Sequence, residues 1–217
     1  YVVTPNVDHI VQLETNKELQ AVYKNASLIL THGKPLLWIA NWYGTPIKEK
    51  ISGSDLFPLL CKMAAEKEYK MFFLGAAEGV AAKAAENLAN RFKGLQVVGT
   101  YSPPFGFEKD PVEMDKIKSM IKEAAPHILI VGLGCPKQEK FMYHHCKELG
   151  VPISFGLGAS FDFEAGNIKR APRWMANHGL EWLFRITQDP KRMAKRYLVD
   201  DRKILGLAIK YRKENDK

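Results

Sequence analysis

Residues 127–138, HILIVGLGCPKQ, contain the transition that decides the fold class. The stretch begins with His127–Val131, a short apolar run rich in β-branched side chains, which is typical of a strand buried on both faces. Gly132 and Gly134 then predict a turn, and Pro136 suits the first position of a following helix. The stretch therefore predicts a strand, a glycine turn and a helix, which together form one repeating unit of an α/β fold.

The same alternation continues through most of the chain. Short apolar runs are separated by longer segments in which apolar residues repeat every three or four positions, as they do on one face of a helix. We expect a doubly wound, mostly parallel, Rossmann-like α/β sheet with right-handed crossovers. The other predicted strands are Tyr1–Val3, Leu28–Leu30, Met71–Leu74, Leu95–Val98 and Pro152–Phe155. The predicted helices are Asp55–Lys67, Val80–Phe92, Pro111–Ala124 and Lys137–Leu149.

The C-terminal part of the chain differs from the rest in pattern and in charge. No strand is predicted after Trp174, and the segments 174–185, 191–199 and 203–213 read as helices. Residues 169–217 contain 14 of the 32 Lys and Arg residues but 6 of the 24 Asp and Glu residues. We expect an α/β core over residues 1–173 and a basic helical appendage over residues 174–217. Such an appendage favours a polyanionic partner, either nucleic acid or an anionic lipid surface.

Composition excludes several classes of protein. The 217 residues are 46% hydrophobic and 26% charged, which is typical of one soluble globular domain. No stretch reaches the roughly 18 consecutive apolar residues of a membrane span. The three cysteines lack C-x-x-C spacing, and no Asp-x-Asp or His-rich cluster is present, so we expect no disulfide, metal or resident cofactor. The chain begins without Met inside an apolar run, so we expect its natural N-terminus to lie upstream.

Glycine turns at the predicted strand ends are candidates for phosphate binding. Ligands of α/β sheets bind beyond the carboxyl ends of the strands, where turns expose backbone N–H groups. Gly75 opens one such turn, although this glycine could be needed only for the tight turn and contact no phosphate or ribose. Gly132 and Gly134 open another, and Lys137 with Gln138 adds a cation and an amide at a helix start. No G-x-G-x-x-G follows the first strand and no Walker Gly-Lys-Ser/Thr occurs, which disfavours dinucleotide and P-loop sites.

Other strand ends carry small polar side chains. Thr4 and Asn6 follow the first predicted strand, and His32 lies in a glycine turn after the second. A histidine in a turn is more often solvated than catalytic, unless other polar strand ends converge on it. Ser160 and Asp162 follow the last strand, where they could hold a ribose or uracil edge or could cap a helix.

Eight short motifs, taken in order, together resemble one known family. They are Thr4-Pro5-Asn6, His32-Gly33, Gly53-Ser54-Asp55-Leu56, Phe73-Leu74-Gly75-Ala76, Gly132-Leu133-Gly134-x-Pro136-Lys137-Gln138-Glu139, Phe161-Asp162-x-x-Ala165-Gly166, Arg170-Ala171-Pro172 and Gly179-Leu180-Glu181-Trp182-Leu183-x-Arg185. In this order they resemble the WecG/TagA/CpsF glycosyltransferases over nearly the whole chain. The resemblance implies an inverting, metal-independent enzyme. It would move N-acetylmannosamine, or a related sugar, from a UDP-sugar to a polyprenyl-diphosphate-linked N-acetylglucosamine, in wall teichoic acid or surface polysaccharide synthesis.

The resemblance assigns roles, and one position departs from the family pattern. Thr4 and Asn6 match active-site residues of the family, and Gln138 matches a glutamine near the pyrophosphate or sugar. Where the family has an Asp-Gly pair whose carboxylate is proposed as the general base, this chain has His32, and Lys50 replaces a frequent arginine. An imidazole can also accept a proton, since its ordinary pKa is about 6.5. Two interpretations remain open: an enzyme with a histidine base, or a subfamily with an altered donor, acceptor or activity, such as a silent homologue that binds a sugar nucleotide.

The resemblance also gives the basic appendage a role. The arginines of this region in the family match Arg185, Arg192 and, less conservatively, Lys195 beside Arg196. The resemblance implies that these cations contact diphosphates and that the appendage meets the membrane. The segment Lys203–Lys213 could lie at an anionic membrane surface or pack as an ordinary terminal helix. The expected partners are a UDP-sugar, a lipid-linked acceptor and the anionic inner face of the cell membrane. We expect a cytoplasmic protein that binds this membrane peripherally and that could form a homo-oligomer. A nucleic-acid-binding module is less favoured, because no known reader motif is present.

Overall fold

Six parallel strands form a single sheet in the order β2-β1-β6-β5-β3-β4. This arrangement confirms the predicted parallel α/β fold. Every predicted strand is present, and the observed bounds differ from the predicted ones by one to three residues. The strands are β1 (Val2–Val3), β2 (Leu28–Ile29), β3 (Lys70–Gly75), β4 (Gln96–Tyr101), β5 (Ile128–Gly132) and β6 (Ile153–Gly156).

The computed structural model describes residues 1–172, 174–175 and 178–215, apart from the side chains of residues 192, 199–200 and 213–215. The chain divides into two compact units. The first, here called the sheet unit, comprises Tyr1–Val3, Val22–Ile29 and Gly53–Ile168. The second, here called the helical unit, comprises Thr4–Ala21, Leu30–Ser52 and Lys169–Lys217, so that two N-terminal segments share a unit with the basic C-terminal end.

Helices make up most of the remaining structure that is described. The N-terminal half contains α1 (Val7–Leu13), α2 (Lys17–Lys24), α3 (Lys34–Trp42), α4 (Gly53–Glu66) and α5 (Val80–Arg91). The next helices are α6 (Pro111–Ala124), α7 (Lys137–Leu149) and α8 (Ser160–Ala165), with a 3₁₀ turn at Phe107–Lys109. The C-terminal end contains α9 (Glu181–Gln188), α10 (Pro190–Lys195), a π-helical turn (Arg196–Asp200) and α11 (Lys203–Asn215).

Helices of the sheet unit form two groups, as a doubly wound fold requires. Helix α8 contacts both α4 and α5, whereas α6 contacts α7. Right-handed crossovers explain this grouping, because α5 leads from β3 outward to β4 while α7 leads from β5 the other way to β6. The turns after β3 and β5 therefore leave the sheet in opposite directions, and a crevice opens where neighbouring strands part in this way.

Three aromatic rings form the centre of the core in the sheet unit. Phe57 of α4, Phe73 of β3 and Phe161 of α8 have no solvent exposure, and their ring centroids lie 5.1 to 5.4 Å apart. Edge-on and tilted contacts at this distance are favourable arrangements for aromatic rings. The cluster fixes two helices of one face against the central part of the sheet.

Two features of the helices differ from the sequence prediction. The predicted helix over residues 174–185 is not continuous: residues 174–175 are helical, the chain turns at His178–Gly179, and α9 begins at Glu181. Gly179 explains the interruption, since its φ of +74° is a conformation that favours glycine and ends a helix. Residues 173, 176 and 177 of this predicted helix lie outside the described residues. The short helices α1, α2, α3 and α8 are additions to the prediction.

We predict that Phe161→Ala lowers the free energy of unfolding by about 3–5 kcal/mol, because it removes one ring of the buried cluster and leaves a cavity. Urea denaturation followed by circular dichroism measures this loss. The matched control is Phe105→Ala, because Phe105 is fully exposed, and it should change the value by less than about 1 kcal/mol. Equal losses in the two variants would contradict the assignment of the core.

Candidate functional site

A cavity of about 650 Å³ lies within the helical unit. Its volume is in the range that small-molecule sites occupy. Its walls come from α1, α3, α9, the π-helical turn and α11, and from the turn that holds His32. The charged residues that line it are Lys34, Lys50, Arg185, Arg196, Arg202, Glu181 and Asp201. The cavity therefore has an excess of positive charge, which suits an anionic ligand.

Backbone hydrogen bonds hold three chain segments of the helical unit together beside this cavity. The His32 N–H donates to the Pro5 carbonyl oxygen at 2.8 Å, and the Ile51 N–H donates to the Thr31 carbonyl oxygen at 2.9 Å. His32 forms one of these bonds, and Asn6 and Lys50 are each next in sequence to a bonded residue. All three residues line the cavity. The structure thus brings together polar residues that lie up to 44 positions apart in the sequence.

Asn6 joins the N-terminus of α1 to the C-terminal end of the chain. Its side-chain oxygen caps α1 by accepting from the His9 N–H at 3.4 Å. The same oxygen accepts from the Arg196 guanidinium at 3.2 Å. Arg196 also lies 3.5 Å from the Asp8 carboxylate and 3.9 Å from the Asp201 carboxylate. These contacts fix both the amide and the guanidinium at the cavity wall.

His32 is surrounded by positive charge. Burial is the main cause that lowers the pKa of its imidazole, and Arg185, Lys50, His9 and Arg196 lower it further, to about 3. The residue lines the cavity and retains some exposure to solvent. The structure therefore corrects the expectation of an ordinary imidazole pKa near 6.5, and His32 is neutral at physiological pH.

A neutral His32 has two consequences. One of its two ring nitrogens carries no proton and can accept one from a sugar hydroxyl, although a base with so low a pKa is weak. An anion bound near Lys50, Arg185 and Arg196 would offset their charge and raise the pKa of His32 toward its ordinary value. Folding stability also depends on this group: its contribution is complete above pH 6.5 and is lost as the pH falls toward 3.

The other predicted residues of this region occupy different positions. The Lys50 ammonium lies 3.8 Å from the Glu181 carboxylate. Thr4 is buried and does not line the cavity, and Lys195 is exposed and does not line it either. Arg192 belongs to α10, but its side chain lies outside the described residues.

A second group of predicted residues lies in the sheet unit, at the crevice between β3 and β5. Gly75 and Gly132 are paired in the sheet, and the Ala76 N–H donates to the Gly132 carbonyl oxygen at 2.9 Å. A Cβ atom on Gly75, where φ is +119°, would lie 2.4 Å from that oxygen. Glycine is therefore required here by backbone geometry alone. Gly134 begins the approach to α7, and the proposed contact of these glycines with phosphate stays a prediction.

Lys137 and Gln138 make contacts within the sheet unit. The Lys137 ammonium lies 2.7 Å from the Glu108 carboxylate, holds the pKa of that carboxyl below its usual range, and lies 4.6 Å from the centre of the Phe105 ring. The Gln138 amide is buried; it accepts from the Gly158 N–H at 3.0 Å and donates to Glu139 at 2.7 Å. These bonds anchor the loop after β6 to the start of α7.

Ser160 and Asp162 lie in the first turn of α8. The buried Ser160 hydroxyl donates to the Leu157 carbonyl oxygen at 2.7 Å, which is a structural contact. Asp162 is half-buried. The role of either residue in holding a uridine stays a prediction.

Aromatic side chains are the functional candidates that the sequence reasoning missed. Trp38, Trp42 and Trp182 line the cavity of the helical unit. In the sheet unit, Phe105 is fully exposed and stacks with Lys137. The spacing of Trp38 and Trp42 by one helical turn could have signalled a shared face.

None of the helices among the described residues is long and apolar enough to cross a bilayer.

The comparisons with known proteins agree on one family. The model of the glycosyl transferase WecG/TagA/CpsF family matches residues 1–217. An N-acetylglucosaminyldiphosphoundecaprenol N-acetyl-beta-D-mannosaminyltransferase of Bacillus spizizenii is 34% identical over 88% of this chain and 72% of its own length. Proteins of the same name are 31% identical in Bacillus subtilis, over 79% of this chain and 64% of the relative, and 26% identical in Staphylococcus aureus, over 90% and 74%.

We predict that replacing Arg185 or Lys50 by Gln raises the pKa of His32, because each change removes a positive charge that opposes protonation. An NMR titration of the imidazole measures this pKa. Lys17→Gln, which removes an exposed cation of the same unit, should leave it unchanged. A wild-type midpoint near 6.5 would contradict the description of His32 as a group buried among cations.

Proposed function

Because this chain belongs to the WecG/TagA/CpsF family of glycosyl transferases, we propose that it transfers N-acetylmannosamine from a UDP-sugar to N-acetylglucosamine carried on a polyprenyl diphosphate. The names of the relatives in the two Bacillus species and in Staphylococcus support this donor sugar and acceptor. The reaction would form a disaccharide on a lipid carrier, as in the synthesis of wall teichoic acid.

One observation carries the proposal: His32 lies in a cavity whose lining has an excess of cations. Sugar transfer needs a group that removes the proton of the attacking hydroxyl and groups that stabilise a departing diphosphate. In this cavity His32 has the first capacity, and Lys50, Arg185 and Arg196 have the second.

The reaction is then a single displacement with inversion. The acceptor hydroxyl oxygen attacks the anomeric carbon of the donor sugar and forms the new glycosidic bond. The bond between that carbon and the β-phosphate oxygen breaks, and its electron pair leaves with UDP. The hydroxyl proton moves to the imidazole of His32. The charge of the leaving diphosphate is offset by side-chain cations, so we propose that no divalent metal is needed.

Substrate binding would also activate the base. The low pKa of His32 results first from burial and then from nearby positive charge. A bound diphosphate neutralises part of that charge, so the imidazole becomes a stronger base once the substrate is present. The proton acceptor therefore reaches its working basicity only in the complex.

The same low pKa favours one alternative. A base with a pKa of about 3 is weak unless substrate binding raises it, and the family's carboxylate is absent at this position. The alternative is a homologue that binds a sugar nucleotide without transferring the sugar. Binding of UDP with no product separates this alternative from the enzyme.

We further propose that α11 meets the inner, cytoplasmic face of the membrane that holds the acceptor. Leu205 and Ile209 of this helix are 66% and 51% exposed. Lys203 lies on the same helix and its charge suits an anionic lipid surface, whereas Lys210 is paired with Glu14.

We predict that His32→Ala lowers kcat by about 10² to 10⁴ with little change in the KM for UDP-N-acetylmannosamine, because a general base acts on the transition state. His32→Asp, which restores the family residue, should retain activity. The assay is product analysis by mass spectrometry with a short-chain lipid-diphosphate acceptor, with and without EDTA. The exposed His178 gives the matched control, His178→Ala.

Three outcomes would contradict parts of this proposal. Wild-type turnover in His32→Ala excludes His32 as the base. Loss of turnover on adding EDTA excludes a metal-free reaction. UDP binding without product, in both wild type and His32→Asp, favours the silent homologue.

We predict that Ile209→Glu weakens binding to anionic phosphatidylglycerol vesicles, because it places a negative charge on the exposed apolar face of α11. Vesicle co-sedimentation at low salt measures the binding. Val112→Glu is the control, since Val112 is 79% exposed on a helix of the sheet unit. Equal binding of both variants would contradict the role of α11.

A further inference from the structure

One face of α3 forms a continuous wall of the cavity. Lys34, Trp38 and Trp42 are spaced by four residues, and all three line it. Residues at this spacing lie above one another on a helix that rises about 1.5 Å per residue. The cavity therefore extends along α3 for about 12 Å, from the residue after Gly33 to the last residue of the helix.

The character of the cavity changes along this length. Lys34, the first residue of α3, is a lining cation that the proposed donor diphosphate does not use. One and two turns further along the helix, the lining consists of Trp38, Ile39 and Trp42. The wall that α3 contributes is thus cationic at its start and aromatic toward its end.

Further apolar side chains face the same space. Trp182 and Tyr197 line the cavity with their ring centroids 6.2 Å apart, and Leu198 and Leu205 line it as well. Several of these side chains remain exposed to solvent: Trp38 is 56% exposed and Trp42 is 47% exposed. Exposed apolar surface of this extent is unfavourable in water and marks a binding site.

Contacts within the helical unit fix the walls of the aromatic part in place. The Arg212 guanidinium lies 4.6 Å from the centre of a Trp42 ring and donates to the Trp42 carbonyl oxygen at 3.2 Å. The Tyr43 hydroxyl donates to the Ala208 carbonyl oxygen at 2.8 Å. These contacts fix α11 to the end of α3, so the aromatic walls are already formed before a ligand binds.

From this arrangement we infer that the aromatic part of the cavity, formed by Trp38, Trp42 and Trp182, is a subsite for the first isoprene units of a polyprenyl diphosphate. The inference rests on the proposed function and adds a subsite to it. An isoprenoid diphosphate has a compact anion joined to an apolar, branched chain, and the cavity offers cations joined to an aromatic channel in the same order. The subsite makes the chain itself a determinant of acceptor affinity.

A ligand chain fits the geometry better than the plane of a bilayer does. The tryptophans line a concave space of about 650 Å³ together with cationic side chains, whereas groups that rest on a bilayer project outward from a convex surface. Burying a chain against these rings would remove apolar surface of both partners from water. A free inorganic diphosphate would gain only the cationic contacts.

The test compares two probes that differ only in the presence of the chain: farnesyl diphosphate and inorganic diphosphate. Isothermal titration calorimetry on the full chain should show that wild type binds farnesyl diphosphate at least about tenfold more tightly, a difference of about 1.4 kcal/mol. Trp38→Ala and Trp42→Ala should reduce this preference to less than about threefold while the affinity for inorganic diphosphate is retained, which also reports correct folding. Trp38→Phe should keep most of the preference. Trp174→Ala is the matched control, because Trp174 is 60% exposed and does not line the cavity.

The outcomes distinguish this inference from its competitors. Equal affinities of wild type for the two probes, or a full preference in both alanine variants, would overturn it. Variants that lose vesicle binding yet keep the farnesyl preference would also overturn it, since the tryptophans would then serve a bilayer. If wild type prefers farnesyl diphosphate but transfers no sugar, the subsite stands and the proposed function fails.

Discussion

Repulsion among cations is the constraint on which the cavity of the helical unit depends. Lys50, Arg185 and Arg196 line one cavity, and like charges repel, by about 4 kcal/mol for a pair 4 Å apart near a protein surface. Carboxylates offset part of this repulsion: Glu181 lies beside Lys50, and Asp8 and Asp201 lie beside Arg196. Burial first, and the remaining positive charge second, lower the pKa of His32. An incoming anion is therefore attracted by cations that the protein neutralises only in part.

This arrangement explains why the helical unit combines distant parts of the sequence. The cations that act on His32 come from segments more than 130 residues apart, and Asn6 accepts from a guanidinium 190 positions later. Hydrogen bonds of the backbone between the residues after β1 and β2 give the cavity a fixed base. Chemistry that needs several cations around one imidazole thus requires both ends of the chain in one unit. The sheet unit has its own constraint, in the close contact of Gly75 with Gly132.

Sequence patterns predicted the sheet unit well and the cavity less well. The strands β3, β5 and β6 and the helices α4 to α7 are long or strongly apolar, so local periodicity sufficed to predict them. The short helices α1 to α3 carry no comparable pattern, and Gly179 interrupts a segment that otherwise looks helical. Resemblance to the family picked out Asn6, His32 and Arg185, which the fold brings to one cavity. The low pKa of His32 depends on burial and on distant cations, neither of which a local motif contains. Trp38 and Trp42 look like core residues until their exposure is known.

The last helix is held by both of its neighbours. Lys210 and Tyr211 bond to Glu14 just beyond α1, while Tyr43 and Arg212 connect the end of α3 to α11. Ile204 and Leu205 of α11 also form part of the cavity wall. The residues of α11 are therefore not dispensable. A chain cut before Lys203 would keep every strand of the described sheet, yet it would lose one wall of the cavity. Such a chain would have a sheet but no complete binding site.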